Sequence, residues 1–189
     1  MQNLKELTLA ESKSFKSTKT KIFADNAFDN LVNLEHLHLE VPKIIEFNST
    51  ALLKNKPKLW TLAIRGILGT FPEYIPSAVM DLNLCFTFFT RLTRANLKNL
   101  KNLTNLSICF SKLRTIDEDT FDDCKKICDL HLHNNEIERI TKRHFKTLTK
   151  LGNCVLMKNS GTMNIDFMTE ELGFTKYTGN EWEVFTRNV

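Results

Sequence analysis

The stretch LTNLSICFSKLRTIDEDTFDDCKKICDLHLHNNEIERITKRHFKTLTKLGNCVL, residues 103–156, decides the fold of this chain. An apolar triplet of the form L-x-x-L-x-L occurs in it three times, with a step of 24 residues each time. The triplets are Leu103/Leu106/Ile108, Ile127/Leu130/Leu132 and Leu151/Cys154/Leu156. A second apolar set recurs at the same step of 24 residues, as Leu113/Ile116/Phe121 and Ile137/Ile140/Phe145. One unit is therefore LxxLxLxxNxLxxIxxxxFxxLxx, and self-similarity at a fixed period of this length indicates stacked repeats.

The triplet continues toward the N-terminus with less regular steps. The earlier triplets are Leu4/Leu7/Leu9, Leu34/Leu37/Leu39, Leu59/Leu62/Ile64 and Val79/Leu82/Leu84, and the steps along the chain are 30, 25, 20, 24, 24 and 24. Alternating apolar and polar residues predict a short strand with one buried face. Because one unit cannot bury that face alone, neighbouring units must stack, with parallel strands joined by crossover segments. Phe28, Phe121 and Phe145, each six residues before the next triplet, are predicted to fill the space behind the strands.

Three segments between the triplets depart from the repeat unit. AESKSFKSTKTK, residues 10–21, is rich in Ser, Thr and Lys and is predicted to form an exposed loop. FPEYIPSAV, residues 71–79, contains two prolines and is predicted to be extended, whereas the leucines of residues 91–103 predict a short helix. The chain starts inside a repeat, which suggests a fragment. We predict repeats over residues 1–160, about seven units, and a degenerate terminal repeat or cap over residues 161–189.

Composition argues against several classes of protein. Hydrophobic content of 42% and charged content of 25% are typical of a globular domain. The net charge of +4 is mild, and no nucleic acid partner is expected without a concentrated basic stripe. No apolar run reaches the roughly 20 residues that cross a bilayer, and the N-terminus lacks the features of a signal peptide. There is no nucleophile–base, phosphate-loop or paired-carboxylate signature, so we expect neither an enzyme nor a cofactor.

The repeat unit resembles the extracellular type of leucine-rich repeat, which occurs in Toll-like receptors, related insect immune proteins and small leucine-rich proteoglycans. The most similar units are IFADNAFDNLVNLEHLHL, residues 22–39, and LRTIDEDTFDDCKKICDLHL, residues 113–132. FPEYIPSAVMDLNL, residues 71–84, resembles the short proline-containing units of Toll-like receptor ectodomains. The resemblance implies an α/β fold: a leucine-rich-repeat solenoid, coiled right-handed, with a parallel concave β-sheet and an irregular or short-helical convex side.

The chain also departs from that family pattern. In the family an asparagine amide bonds backbone groups of neighbouring turns, and only Asn135 and Asn159 fill this slot here. The earlier units carry other residues in the slot: Ser12, Pro42, Ile67, Thr87 and Ser111. Ser and Thr can supply part of the bonding, but Pro and Ile cannot, so the early units should be less regular. The Cys-rich caps of secreted members are absent, which points to a fragment or to a subgroup without caps.

Outward-facing residues of the concave sheet are the candidate ligand-binding residues. They are His36, His38, Arg65, Asp81, Asn83, Phe86, Ser107, Phe110, Asp129, His131 and His133. Phe86 and Phe110 occupy the same position of adjacent units, and an exposed apolar stripe there would suggest a partner site. The alternative is that the two rings fold over the strand edge and pack on each other. Histidines on this face would make binding sensitive to pH.

The five cysteines are Cys85, Cys109, Cys124, Cys128 and Cys154. Cys124 and Cys154 occupy leucine positions and are predicted to be buried apolar residues. Cys85 and Cys109 lie at one position of adjacent units, where side chains in register point alongside each other, so we expect free thiols. Cys109, His131 and His133 lack the spacing of a zinc site, and no metal is expected.

Two asparagines in N-x-S/T sequons, Asn48 and Asn102, are candidate glycosylation sites if the chain is secreted. A third sequon, at Asn105, faces the concave surface, where a glycan would obstruct binding. Basic residues form two clusters in segments between strands: Lys13, Lys16, Lys19 and Lys21, and Arg139, Lys142, Arg143, Lys146 and Lys150. We interpret both as solvated convex surfaces, with an anionic ligand as the alternative.

The leading hypothesis is a non-catalytic recognition module of an extracellular, innate-immune receptor-like or secreted leucine-rich-repeat protein. It would bind a protein or microbial ligand on its concave or lateral face, and lateral or terminal surfaces are where dimerisation would occur. The second hypothesis is a cytosolic leucine-rich-repeat adaptor, which free cysteines and absent caps favour. The third is the substrate-binding part of a larger enzyme such as a ubiquitin ligase, for which the two-proline unit is the only support.

Overall fold

A computed structural model describes residues 3–10, 23–40, 47–66, 68–160, 163–179 and 183–189. Some predictions concern residues outside these ranges. They are almost all of the predicted exposed loop of residues 10–21 with its four lysines, and the slot residues Ser12, Pro42 and Ile67.

The described residues form short strands separated by turns and single-turn helices. The strands are β1 (Glu6–Ala10), β2 (His36–Glu40), β3 (Thr61–Arg65), β4 (Asp81–Asn83), β5 (Arg91–Leu92), β6 (Asn105–Ser107), β7 (Thr115–Ile116), β8 (Asp129–His131), β9 (Asn153–Val155), β10 (Thr175–Thr178) and β11 (Glu183–Thr186). The helices are α1 (Ser49–Leu53), α2 (Arg94–Leu97), α3 (Phe167–Glu170) and a 3₁₀ helix (Lys142–Phe145).

The main sheet has the strand order β1-β2-β3-β4-β6-β8-β9-β11-β10. From β1 to β9 its neighbouring strands pair in parallel, and the register aligns the middle residues of successive triplets. These residues are Leu7, Leu37, Leu62, Leu82, Leu106, Leu130 and Cys154. Triplets that are 20 to 30 residues apart in the sequence thus lie on neighbouring, hydrogen-bonded strands. The predicted solenoid with a parallel sheet is confirmed. Strands β5 and β7 form a second, two-stranded parallel sheet.

The apolar side of the main sheet forms the core. Its triplet leucines are sealed from solvent, as Leu37, Leu62 and Leu106 illustrate with 0% exposure. Phe28, Phe121 and Phe145 are buried behind the strands, as the repeat predicts. In the first unit Leu4, Leu7 and Leu9 are only partly buried, since β1 has a strand neighbour on one side only among the described residues.

The asparagine slot joins neighbouring turns in the later units, and the predicted lower regularity of the early units stays a prediction. Asn135 Nδ2 donates to the carbonyls of Ile108 (2.6 Å) and Leu132 (3.0 Å), and its Oδ1 accepts from the Leu113 amide. Asn135 thereby joins two turns through buried backbone groups that would otherwise lack partners. Thr87 and Ser111 do part of this work, because the Thr87 amide donates to Ser111 Oγ (3.0 Å) and Ser111 Oγ donates to the Cys109 carbonyl (2.9 Å).

The segments between strands follow the local sequence. The predicted helix of residues 91–103 is α2, where the Asn96 carboxamide oxygen accepts from the Thr93 amide at 2.8 Å. The two-proline segment runs from Phe71 to Val79 without a helix, in line with its composition. Two prolines fix the backbone away from continued helical geometry there.

The C-terminal end of the solenoid is closed by a hairpin. Strand β11 pairs antiparallel with both β10 and β9, and Phe185 on β11 is buried. Arg187 Nη2 donates to the Leu148 carbonyl (2.7 Å) and its Nε to the Leu151 carbonyl (2.7 Å), while its guanidinium lies over the Phe174 ring. These contacts cover the last repeat with polar structure, as terminal repeats require. The predicted boundary between residues 160 and 161 stays a prediction.

Candidate functional site

The predicted binding residues lie on the outward side of the main sheet. The strand register arranges them in two rows across the strands, one through His36, Asp81 and Asp129 and the other through His38, Asn83, Ser107 and His131. These side chains are half-buried, whereas Arg65 at the end of β3 is exposed. Phe86, Phe110 and His133 follow the ends of β4, β6 and β8. The fold thus gathers the predicted residues on one face, and their role in binding stays a prediction.

Phe86 and Phe110 form a stacked pair at the edge of this face. Their ring centroids are 5.2 Å apart and the planes differ by 9°. Each residue nevertheless keeps 51% of its surface exposed. The two alternatives considered for these residues are therefore both realised. The rings pack on each other, and their outer surfaces still present an apolar stripe to solvent. The His133 ring extends the row, with its centroid 5.3 Å from that of Phe110 and its plane nearly perpendicular.

The backbone at this edge is left-handed in four successive units. Phe86, Phe110, Asn134 and Lys158 occupy the same position of the repeat and have φ of 62°, 51°, 54° and 55°. Asn tolerates this conformation, but a bulky side chain with positive φ is an outlier that costs about 1–2 kcal/mol. Two phenylalanines therefore stand at positions where asparagine would fit the backbone better.

His133, beside the stacked pair, has a ring nitrogen without a hydrogen-bond partner in the described structure. His133 Nδ1 is buried and has no hydrogen-bond partner among the described residues. Burial lowers the pKa of His133, and the nearby His131 and Lys158 lower it further. His133 is thereby held neutral and able to accept or donate one hydrogen bond at physiological pH.

A cavity of about 220 Å³ with polar side chains in its lining lies further along the same face. His38, Asn83, Arg65 and Asp81 line it, with Ala63 between His38 and Asn83 in the strand register. His38 Nε2 and Asn83 Oδ1 are buried without a hydrogen-bond partner in the described structure. Buried polar atoms in that state are uncommon and mark a place where a ligand group can bond.

None of the five cysteines forms a disulfide in this structure, including Cys85 and Cys109, for which free thiols were predicted. Cys109 donates its backbone amide to Cys85 Sγ at 3.3 Å, which fixes the two residues side by side beneath the stacked rings. Burial raises the pKa of Cys124 to about 12. Among the described residues no group of three or more His, Cys, Asp or Glu side chains is arranged to hold a metal ion.

The two sequon asparagines are exposed. Asn48 caps α1, since its Oδ1 accepts from the Ala51 amide, and its Nδ2 donates to Asp25 at 2.9 Å. Asn102 Nδ2 donates to the Ser77 carbonyl at 3.2 Å. Both side chains lie between strands and away from the outward face of the sheet, and their modification stays a prediction.

The second basic cluster is largely paired with acidic residues. Arg143 contacts Glu118 at 3.0 Å, Lys146 contacts Asp122 at 3.1 Å, and Lys142 pairs with Glu171. Exposed pairs of this kind contribute little stability. They favour the interpretation as a solvated convex surface. The first cluster lies outside the described residues.

The sequence-based candidates omit Lys56. This lysine is 2% exposed and lines a cavity of about 550 Å³ together with Val32, Pro57 and Tyr74. The signal for it was present in the sequence, because Lys56 stands three residues before Leu59, at the position where Leu100 and Leu148 precede their triplets. Lys56 departs from the apolar residues of its column but belongs to no catalytic motif, so only a comparison of equivalent repeat positions reveals it.

Comparisons with known proteins agree with the architecture. The family profile described as leucine rich repeat matches residues 77–137 and 101–160. A chain in the structure of the Toll–Spatzle complex, described as a molecular hub in Drosophila development and innate immunity, is similar with a TM-score of 0.67 and 19% sequence identity. That similarity covers 75% of this chain and 19% of the other, and at this identity it shows the fold alone. No curated protein matches the sequence. No helix in the described ranges is long and apolar enough to cross a membrane.

Proposed function

We propose that this leucine-rich-repeat solenoid binds a protein ligand on the outward face of its sheet, anchored by Phe86 and Phe110. Leucine-rich-repeat solenoids are protein-interaction modules, and their extended sheets offer a broad surface to a partner. The aromatic pair supplies apolar contact, and the polar rows beside it supply selectivity. No step of chemistry is required of the chain in this role.

One observation carries the proposal: two half-exposed phenylalanines stack on each other in left-handed backbone conformations. Strained residues persist where something other than local stability retains them. The rings contribute little to the core, and aromatic side chains are frequent anchors of protein interfaces. The strain is therefore explained if the rings bury themselves against a ligand.

The polar atoms without partners extend this contact along the sheet. The His133 ring lies beside the stacked pair, and His38 and Asn83 line the cavity of about 220 Å³. A ligand that covers the face would offer His133 Nδ1, His38 Nε2 and Asn83 Oδ1 hydrogen bonds that no described residue supplies. A ligand that leaves these atoms unpaired would bind less favourably by about 1–3 kcal/mol for each atom. The face would therefore select ligands that carry matching hydrogen-bonding groups.

The finer proposal is that the chain belongs to an extracellular, innate-immune receptor-like or secreted protein. The Toll-like character of the proline-containing unit supports it, as do the exposed sequons at Asn48 and Asn102. The fold likeness to a chain of the Toll–Spatzle complex is consistent with a protein ligand. A cytosolic adaptor remains the second candidate, because five free thiols are more usual in a reducing compartment.

The test of the binding surface uses a random-peptide library displayed on phage and selected on the wild-type chain. Selected peptides are then measured against Phe86→Asn/Phe110→Asn, which keeps a residue type that suits positive φ. We expect Kd to rise at least about tenfold, because anchor residues are worth roughly 2 kcal/mol or more each. Tyr177→Ser is the matched control, since Tyr177 is an aromatic residue 52% exposed on β10.

The double variant also separates binding from folding. Relief of backbone strain and loss of stacking roughly cancel, so its free energy of unfolding should stay within about 1 kcal/mol of wild type. The proposal fails if peptides bind the folded double variant as tightly as wild type, or if Tyr177→Ser weakens them equally.

The compartment is tested on the protein purified from its natural source. Intact mass and peptide mapping before and after removal of N-linked glycans would reveal a glycan on Asn48 or Asn102. A glycan on either residue excludes the cytosolic adaptor. Unmodified asparagines together with five titratable thiols in the freshly isolated protein would instead contradict the extracellular proposal.

A further inference from the structure

Lys56 occupies a core position of the repeat. The residues three before each triplet form one buried column: Leu31, Lys56, Pro76, Leu100, Cys124 and Leu148. Every member except Lys56 is apolar. An ammonium group in such a column is costly, because burial removes the water that stabilises its charge. Packing does not explain the lysine, because leucine fills the same position in three of the other units.

The Lys56 ammonium uses only part of its hydrogen-bonding capacity. Nζ donates to the Lys54 carbonyl at 3.1 Å, at the C-terminal end of α1. No carboxylate in the described ranges forms an ion pair with it, although Asp29 is near enough to favour its charged form. Burial is the stronger effect and lowers the pKa of Lys56. Two of its three N–H donors therefore have no hydrogen-bond partner among the described residues.

A cavity of about 550 Å³ lies at this lysine. It spans three successive units, since Val32, Pro57 and Ser77 occupy one equivalent position in each. Pro76, Ala78 and the half-exposed Tyr74 ring supply apolar wall, and Asn55, Ser77 and Lys56 supply polar groups in nearly equal measure. A cavity of this volume that offers both kinds of surface has the dimensions of a small-molecule site.

We propose that this cavity binds an amphipathic carboxylic acid, with the carboxylate on Lys56 Nζ and the apolar chain along Val32, Pro57 and Tyr74. A carboxylate neutralises the buried charge and accepts the unused N–H donors in charge-assisted hydrogen bonds. A phosphate is a poorer match, because a single lysine stands where a doubly charged group needs several donors. The site lies between strands, apart from Phe86 and Phe110, and does not depend on the function proposed for them.

The test measures binding of sodium octanoate to the wild-type chain by calorimetry, with backbone NMR shifts to locate the site. Octylammonium chloride has the same chain with the opposite charge, and sodium acetate has the same charge without the chain. We expect saturable octanoate binding that shifts Val32, Tyr74 and Ala78. Octylammonium and acetate should bind at least about tenfold more weakly.

Lys56→Met is the decisive variant, because an unbranched apolar side chain suits the buried column. Its thermal midpoint should be no lower than that of wild type, since apolar replacement of a buried charge is generally tolerated. Its affinity for octanoate should fall at least about tenfold. Tyr74→Ala provides a second measurement. The affinity for octanoate should fall, because part of the apolar wall is lost, while the weak affinity for acetate should stay unchanged.

Three results would overturn the proposal. One is octanoate affinity in folded Lys56→Met within about twofold of wild type. Another is octylammonium binding at the same shifted residues with equal affinity. The third is the absence of saturable octanoate binding to wild type, which would leave Lys56 only its contact with the Lys54 carbonyl.

Discussion

Phenylalanine appears in two columns of this solenoid, and the columns differ in what they do. Phe28, Phe121 and Phe145 fill the buried position behind the strands and are at most 5% exposed. Phe86 and Phe110 stand at the sheet edge with half of their surface exposed and with positive φ. The first column gains stability from burial, whereas the second sacrifices backbone stability for an exposed apolar surface.

The contrast separates architecture from candidate function. Where the repeat position is filled by the residue that packing prefers, the side chain needs no further explanation. Phe86, Phe110 and Lys56 each occupy a repeat position that another residue would fill at lower cost. In a repeat protein such departures are visible without a homologue, because the neighbouring units serve as the comparison.

The largest predicted effect separates the two columns directly. Phe121→Ala should lower the free energy of unfolding by about 3–5 kcal/mol, because it opens a cavity at a fully buried site. Phe110→Ala should lower it by about 1–2 kcal/mol, since a stacked contact with Phe86 and an edge-on contact with His133 are lost. Urea denaturation of both variants tests this. Equal losses would show that the edge column belongs to the core.

A smaller effect tests the support beneath the edge column. Asn135→Ala should cost roughly 3 kcal/mol, because the buried Ile108, Leu132 and Leu113 backbone groups lose a partner. Ser111→Ala should cost about 1 kcal/mol, since Ser111 replaces only part of the asparagine pattern. The same denaturation experiment measures both. A Ser111→Ala loss as large as that of Asn135→Ala would contradict the proposed role of the slot.

The smallest effect concerns pH at His133. Its pKa in the folded protein is lowered, so the unfolded chain takes up the proton first as pH falls below about 6.5. Stability should therefore decline on acidification until the folded pKa is passed, by less than about 1 kcal/mol for this partly solvated ring. Unfolding at pH 7.5 and 5.5 should show a smaller decline in His133→Asn. An identical decline in both proteins would assign the effect to other groups.

The sequence predicted the repeat register well and the site only in part. The pairing of Leu37 with Leu62 and of Leu62 with Leu82 follows from the triplet steps, although those steps are 25 and 20 residues. Phe86 and Phe110 were identified as neighbours for the same reason. Their positive φ and the 9° angle between their rings were not, since neither is encoded in a spacing. Lys56 was detectable from its column, but its cavity was not.

The sequence alone determined the periodicity of the repeat. It indicated which residues form strands, which side chains face the core, and how many residues separate one strand from the next. Periodicity suffices for this because every unit contacts only its neighbours. Tertiary structure decided the rest. It closed the last repeat with an antiparallel hairpin and opened a cavity at Lys56. It also left one atom each of His38, Asn83 and His133 without a hydrogen-bond partner in the part of the chain that the structure describes. These features depend on how side chains of different units meet in space, and a spacing along one chain does not carry that information.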